Sequence, residues 1–156
     1  MPTYLIDGHN LIPKLGLRLT SMDDEAELVA RLQEFCRLRR AQVEVFFDGA
    51  PPGQAGTRKT GAVTAHFVQR ESSADAALEI RLARLGKAAR NLSVVSSDGR
   101  VQRAAHAAHA GVLSSEEFTR EMSRVQAMSE SLTKHEATLA PDEVEEWLDF
   151  FNRRKD

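Results

Sequence analysis

The chain has one cysteine, one tryptophan and one tyrosine in 156 residues, and aromatic side chains make up only 6% of it. The single thiol, Cys36, has no partner for an intramolecular disulfide, and beside Phe35 and Leu38 it reads as a small buried side chain; a reducing compartment is expected. No apolar stretch reaches the ~18 residues of a membrane-spanning helix. The opening MPTYLIDGHN lacks a basic segment followed by a long apolar run, which points to a cytoplasmic location. Charge of one sign is also lacking: the formal net charge is −2, so the molecule is not a basic body that holds nucleic acid by bulk charge. Missing too are a phosphate loop of the G-x-x-x-x-G-K-S/T type and an Asp-x-Asp pair after the first strand, which weakens a reading as a nucleotide-binding domain or small phosphatase. There is no internal repeat and no low-complexity tract.

With 42% hydrophobic and 28% charged residues, the composition is that of an ordinary globular protein. The length suits one domain, able to bury roughly 70% of the surface its unfolded form exposes. TYLI (3–6) and VEVFF (43–47) are short apolar runs that each stop at Asp-Gly, and between them Leu28, Leu32 and Phe35 recur at helical spacing, predicting a helix over 22–40 started by Ser21. PPGQAGTRKTG (51–61) has no period and predicts a long loop; VTAHFVQ (63–69) predicts a third strand at the sheet edge. Ser72 and Ser73 offer caps to a helix over 74–89 with Asp75 in its first turn. LSVVS (92–96) predicts a buried strand leading into Ser97-Asp98-Gly99 and an alanine-rich helix closed by Gly111; a fifth strand, GVLS, and a helix begun by Ser115 follow. After a polar connector containing Pro141, the apolar spacing of Val144, Trp147, Leu148 and Phe151 predicts a terminal amphipathic helix. Strands alternate with helices, so the fold class expected is α/β with a parallel sheet and helices on both faces.

In such sheets ligands bind beyond the carboxyl ends of the strands. Asp7, Asp48 and Asp98 each follow a hydrophobic strand, and Asp75 opens a helix that starts from the same edge. Taken singly, each is explained as a turn or capping residue. Taken together they are four like charges at one sheet end, which repel unless a cation neutralises them. Hard oxygen ligands suit Mg²⁺ or Mn²⁺. His106 and His109 have no companion ligands at metal-binding spacing and read as helix-surface residues. The basic groups Arg37, Arg39 and Arg40; Arg58 and Lys59; Arg100 and Arg103; and Arg153, Arg154 and Lys155 each read as a solvated patch when considered alone.

DGHN at 7–10, FFDG at 46–49, SSADAALEI at 72–80 and SSDG at 96–99, in that order and spacing, resemble the NYN branch of the PIN-like nucleases, and its YacP-like members in particular, over residues 3–125. PDEVEEWLDFF (141–151) is similar to the terminal segment of some of those proteins. The resemblance implies a PIN-like three-layer fold with a five-stranded parallel sheet in the order 3-2-1-4-5, an acidic metal site and RNA as substrate. It matches Asp7 and Asn10 to the first motif, Asp48 to the second, Asp75 to the third and Asp98 to the fourth. One departure is that Gly99 and Arg100 stand where many relatives carry a further acidic residue.

The resulting expectation is a metal-dependent endoribonuclease of RNA processing or mRNA decay that leaves a 5′-phosphate. Asp7 and Asp98 would be direct ligands, Asp75 a ligand or water-positioning base, and Asp48 a ligand or outer carboxylate. Asn10 and Ser97 would orient the carboxylates, while Arg58, Lys59, Arg100 and Arg103 would hold RNA phosphates. The nuclease domain is expected over 1–132, with 133–156 forming the connector and the terminal helix, docked on the domain or on a partner. RNA is the expected partner; a larger RNA–protein assembly and a homodimer stay open, and no membrane partner is expected. The alternatives are a catalytically silent RNA-binding module of the same fold and, ranked third, a small phosphatase or nucleotide-binding domain.

Overall fold

The apolar runs that stop at Asp-Gly become the centre of one sheet. In the computed structural model, which describes residues 1–17 and 22–136, β1 (Thr3–Asp7) lies between β2 (Gln42–Ala50) and β5 (Ser93–Val95) and pairs in parallel with both. β4 (Val63–Gln69) extends the parallel sheet beside β2, and β6 (Gly111–Leu113) extends it beside β5. The full order is β3-β4-β2-β1-β5-β6, where β3 (Gly56–Thr60) is antiparallel to β4. The five parallel strands therefore run in the expected order, with one antiparallel strand added at an edge.

That added strand corrects the sequence reading of 51–61 as a loop. A short turn closes with Gln54 N–H donating to the Pro51 carbonyl (3.0 Å), and β3 then pairs with β4 across a tight reversal at Gly61, whose φ is 60°. All five residues of β3 are exposed, so no apolar alternation announces it, and its polar, basic content suits an edge that must not recruit another chain. β4, expected at the edge, is interior.

Alternation along the strands divides the core in two. Tyr4, Ile6, Val43, Val45, Phe47 and Val95 face one side, where α2 (Met22–Arg39) and α5 (Ser115–Glu136) cover them; Leu5, Phe46 and Val94 face the other, under α3 (Ala74–Leu85) and α4 (Gly99–Ala107). Tyr4, Phe35 and Phe118 pack edge-on or tilted at 5.1–5.7 Å, which ties α2 and α5 to β1. Cys36 is buried there, and burial pushes its thiol up to about 12, so it is unreactive at neutral pH.

Two helix ends differ from expectation. α3 stops at Leu85, before Gly86 (φ 53°), and a 3-10 segment (Gly86–Asn91) carries the chain on. α4 ends at Ala107 and the reversal falls on His109 (φ 61°), with Ala110 N–H donating to the Ala105 carbonyl; Gly111 is already the first residue of β6. α5 crosses the division expected at 132/133. Ser21, the connector after Glu136, the helix expected around Trp147 and the basic group Arg153, Arg154 and Lys155 lie outside the described residues. Among those described, no helix is long and apolar enough to cross a membrane.

Candidate active site

Each aspartate stands near a strand's carboxyl end or at a helix start on that side of the sheet. Asp7 is the last residue of β1 and is only 6% exposed; its backbone pairs with Phe46, which places its side chain on the α3–α4 side. Asp48 lies where the β2–β4 register shifts between Phe47 and Ala50, followed by Gly49 at φ 74°. Asp75 stands in the first turn of α3, which Ser73 caps by accepting from Ala76 N–H (3.1 Å). Asp98 caps α4, its Oδ1 accepting from Arg100 N–H (2.8 Å) and Val101 N–H (3.3 Å).

Ser96, fully buried after β5, joins two of these groups. Its hydroxyl donates to Asp7 Oδ2 (3.3 Å) and accepts from Asp98 N–H (3.0 Å). Burial first, then the negative charges of Asp75 and Asp48, raise the Asp7 carboxyl to about 6 against the hydrogen bonds from Ser96 and the Asn10 backbone, which pull it down. Asp75 is also raised, first by burial and then by Asp98, with Asp48 and Glu79 adding and Arg100 opposing. The four aspartates thus act on one another electrostatically, and the N-termini of α3 and α4 set partial positive charge beside them.

His9, which the sequence reading passed over, is the main addition. It sits in the single turn α1 (Gly8–Leu11), against Phe47, with Nδ1 2.8 Å from Asp48 Oδ1 and Nε2 2.7 Å from Glu25 Oε2 in the first turn of α2. The bond to Glu25 raises its pKa most, burial opposes, and Asp48 adds; an imidazolium donating from both nitrogens satisfies both carboxylates. Gly8 makes this turn possible, since a Cβ there would stand 2.4 Å from the Phe47 ring.

Asn10 and Ser97 form a second junction. Asn10 Oδ1 accepts from Ser97 N–H (2.8 Å) and the Ser115 hydroxyl (2.5 Å), while the Ser97 hydroxyl donates to Glu116 (2.7 Å) and accepts from Ser115 N–H (3.0 Å). Their side chains therefore lock α1, the β5–α4 loop and the start of α5 together. The hydroxyl that touches Asp7 belongs to Ser96. Glu116, paired with Lys14 at 2.8 Å, is a further carboxylate at this end, held down to about 2 by Lys14 and then Ser97.

Of the basic candidates, Arg100 lies nearest the aspartates, bonded through Nη2 and Nε to Glu79 on α3 (2.5 and 3.1 Å). Arg103 is one turn further along α4, its guanidinium 3.2 Å from where a Gly99 Cβ would stand. Arg58 and Lys59 lie on β3, with two strands between them and β1; the Arg58 guanidinium covers the Phe67 ring at 4.9 Å.

Among the described residues, no three His, Cys, Asp or Glu side chains are arranged to hold one metal ion as they stand. The donor chemistry nonetheless suits a hard cation: carboxylate oxygens, with Asp7 and Asp75 both raised in part by neighbouring carboxylates, and no thiolate among them.

The family model described as "YacP-like NYN domain" matches residues 4–153. Two solved structures share the fold. A crystal structure of Rae1 (YacP) from Bacillus subtilis, a W164L mutant, superposes with a TM-score of 0.73 at 23% identity, over 94% of this chain and 89% of that one. A second, of Rae1 (YacP) from the same organism, gives 0.68 at 22% identity, over 99% and 95%. No curated protein matches the chain significantly.

Proposed function

The chain belongs to the YacP-like NYN domain family, a family of nuclease type, and from that premise we propose that it is an endoribonuclease that hydrolyses RNA phosphodiester bonds with Mg²⁺ or Mn²⁺. The observation that carries this reading is Asp7: a buried carboxylate, raised to about 6 by burial and by Asp75 and Asp48, whose side-chain partner is one serine hydroxyl. The fold does not need a charge there, whereas a cation site does.

Asp7, Asp75, Asp98 and Asp48 would hold the ion, directly or through its water shell. A bound ion supplies a water of lowered pKa and neutralises charge on the scissile phosphate. The protein's own groups do the placing. The N–H groups of α4 fix one oxygen of Asp98 and leave the other for a ligand. His9 fixes Asp48, and Ser96 aligns Asp7 with Asp98. Arg100, which acts electrostatically on Asp75, would meet a phosphate.

The test is cleavage of single-stranded and structured RNA with Mg²⁺, with Mn²⁺ and with EDTA; hydrolysis with either ion that EDTA stops is expected. A second reading, an RNA-binding module without activity, draws on the His9 clamp over Asp48 and on the lack of a ready-made ligand triad among the described residues. It predicts binding but no hydrolysis with any ion.

A further inference from the structure

α3 and α4 both start at the aspartate end of the sheet and run side by side down its face, and between them lies a groove of about 470 Å³. Small side chains keep it open: Ala83 and Gly86 on one wall, Ala104, Ala107 and Ala108 on the other. Its upper end is marked by the Glu79–Arg100 pair, which borders Asp75. Its lower end is lined by Lys87, Arg90 and His109, all exposed and none ion-paired with a described residue. Among the described residues Glu79 is the one acidic residue lining it, and Arg100 already engages that carboxylate.

We propose that this groove is the track for the RNA strand on one side of the cleavage site, so that a single-stranded phosphodiester chain leaves the aspartates past Arg100 and Arg103 and runs between α3 and α4 to Lys87, Arg90 and His109. The assignment rests on the ribonuclease reading and specifies which surface takes the substrate. Three features carry it: the groove starts at Glu79, one helical turn from Asp75 and bonded to Arg100, its charge is complementary to phosphate, and its alanine-lined walls let sugar and backbone approach closely. Packed helices lie about 8–10 Å apart, so the furrow between them admits one strand, whereas a duplex would ride above both. Phosphate contacts of this kind set affinity and register rather than sequence choice.

The experiment uses the full chain, a labelled single-stranded oligoribonucleotide long enough to span the groove, and its duplex. Lys87→Glu/Arg90→Glu removes two phosphate contacts, while Ala107→Glu places a carboxylate on an exposed wall position and replaces one good helix former with another. Expected for the double variant is a roughly tenfold or greater loss of affinity at physiological salt, with the slope of log K against log salt shallower by ~1.4. KM for cleavage rises in parallel, and Ala107→Glu weakens single-strand binding in the same direction. Melting temperatures identify a variant that fails to fold; if the double variant does, Lys87→Ala and Ala107→Glu carry the test. RNA cleavage by all variants with affinity, KM and salt slope unmoved overturns the track and leaves the ribonuclease reading standing. So does a loss confined to kcat, or duplex bound as tightly as single strand. A wild-type chain that neither binds nor cleaves RNA brings down both.

Discussion

Asp7→Asn separates a functional aspartate from a structural one. The wild-type carboxyl rises from its ordinary 3.8 to about 6 on folding. A folded value above the unfolded one means that ionisation opposes folding, so the penalty is absent below pH 3.8, grows as pH rises, and is complete above about 6. At 1.36 kcal/mol per pH unit the full penalty is ~3 kcal/mol. Asn keeps the shape of Asp and an acceptor for the Ser96 hydroxyl but forfeits the stronger charge-assisted bond, which leaves a net gain of about 2 kcal/mol. For a domain of this size that is roughly 4–8 °C in Tm. Melting curves of both proteins in metal-free buffer should therefore coincide near about pH 4 and separate towards about pH 8, with the variant the more stable. Added Mn²⁺ should raise the Tm of the wild type and leave the variant behind, since only the folded wild type offers the full carboxylate set. Cleavage should be abolished in the folded variant. A variant less stable than wild type at alkaline pH, or a difference that does not change with pH, would refute the electrostatic argument, and near wild-type cleavage would refute the catalytic one.

His9→Ala should destabilise the protein most at acid pH: the raised His9 value means that its contribution is complete below 6.5 and lost as pH rises through the folded value, and equal penalties at about pH 5 and about pH 9 would contradict this. Gly8→Ala should cost about 1–3 kcal/mol, read as a lower denaturant midpoint at unchanged m, because its Cβ would meet the buried Phe47 ring at 2.4 Å; adding Phe47→Leu should recover part of that loss, and no recovery would argue against the clash. Glu44, held down to about 2 by His66 and by Arg81, contributes stability above 4.5 that disappears as pH falls towards 2. Glu44→Gln should therefore cost ~1–2 kcal/mol at neutral pH after discounting for the partly exposed Arg81, and the gap in chemical-denaturation midpoints should close in acid.

The parallel strands were legible because burial on both faces demands continuous apolar runs, and each run ends abruptly at a polar residue. Asp75 was legible through Ser73, whose capping role depends only on local chain geometry. β3 was not, because Gly56–Thr60 buries nothing and owes its conformation to hydrogen bonds with β4 rather than to any pattern of its own. His9 was missed for a related reason. Its partners lie 16 and 39 residues away in sequence, and Glu25 reads locally as one more acid in the first turn of a helix. Ser96 was hidden behind Ser97, since both stand in the same short run and only the fold decides which hydroxyl meets Asp7.

The four aspartates do not carry equal weight as evidence. Asp98 has a sufficient structural reason to be where it is: it caps α4 with two backbone bonds, and a protein with no chemistry to perform would keep such a residue. Asp48 is likewise satisfied by His9. Asp75 lies in a first turn, where an acidic side chain meets the positive end of the helix, although Asp98 and Asp48 push against it. Asp7 has no comparable reason. It is nearly inaccessible and repelled by two neighbours, and the bonds from the Ser96 hydroxyl and the Asn10 backbone do not offset its burial, at a position where Asn would pack as well without the penalty. A residue that lowers stability above pH 6 and satisfies no local requirement is explained by what it binds, so the case for a cation and for hydrolysis stands or falls on Asp7 before it does on the other three.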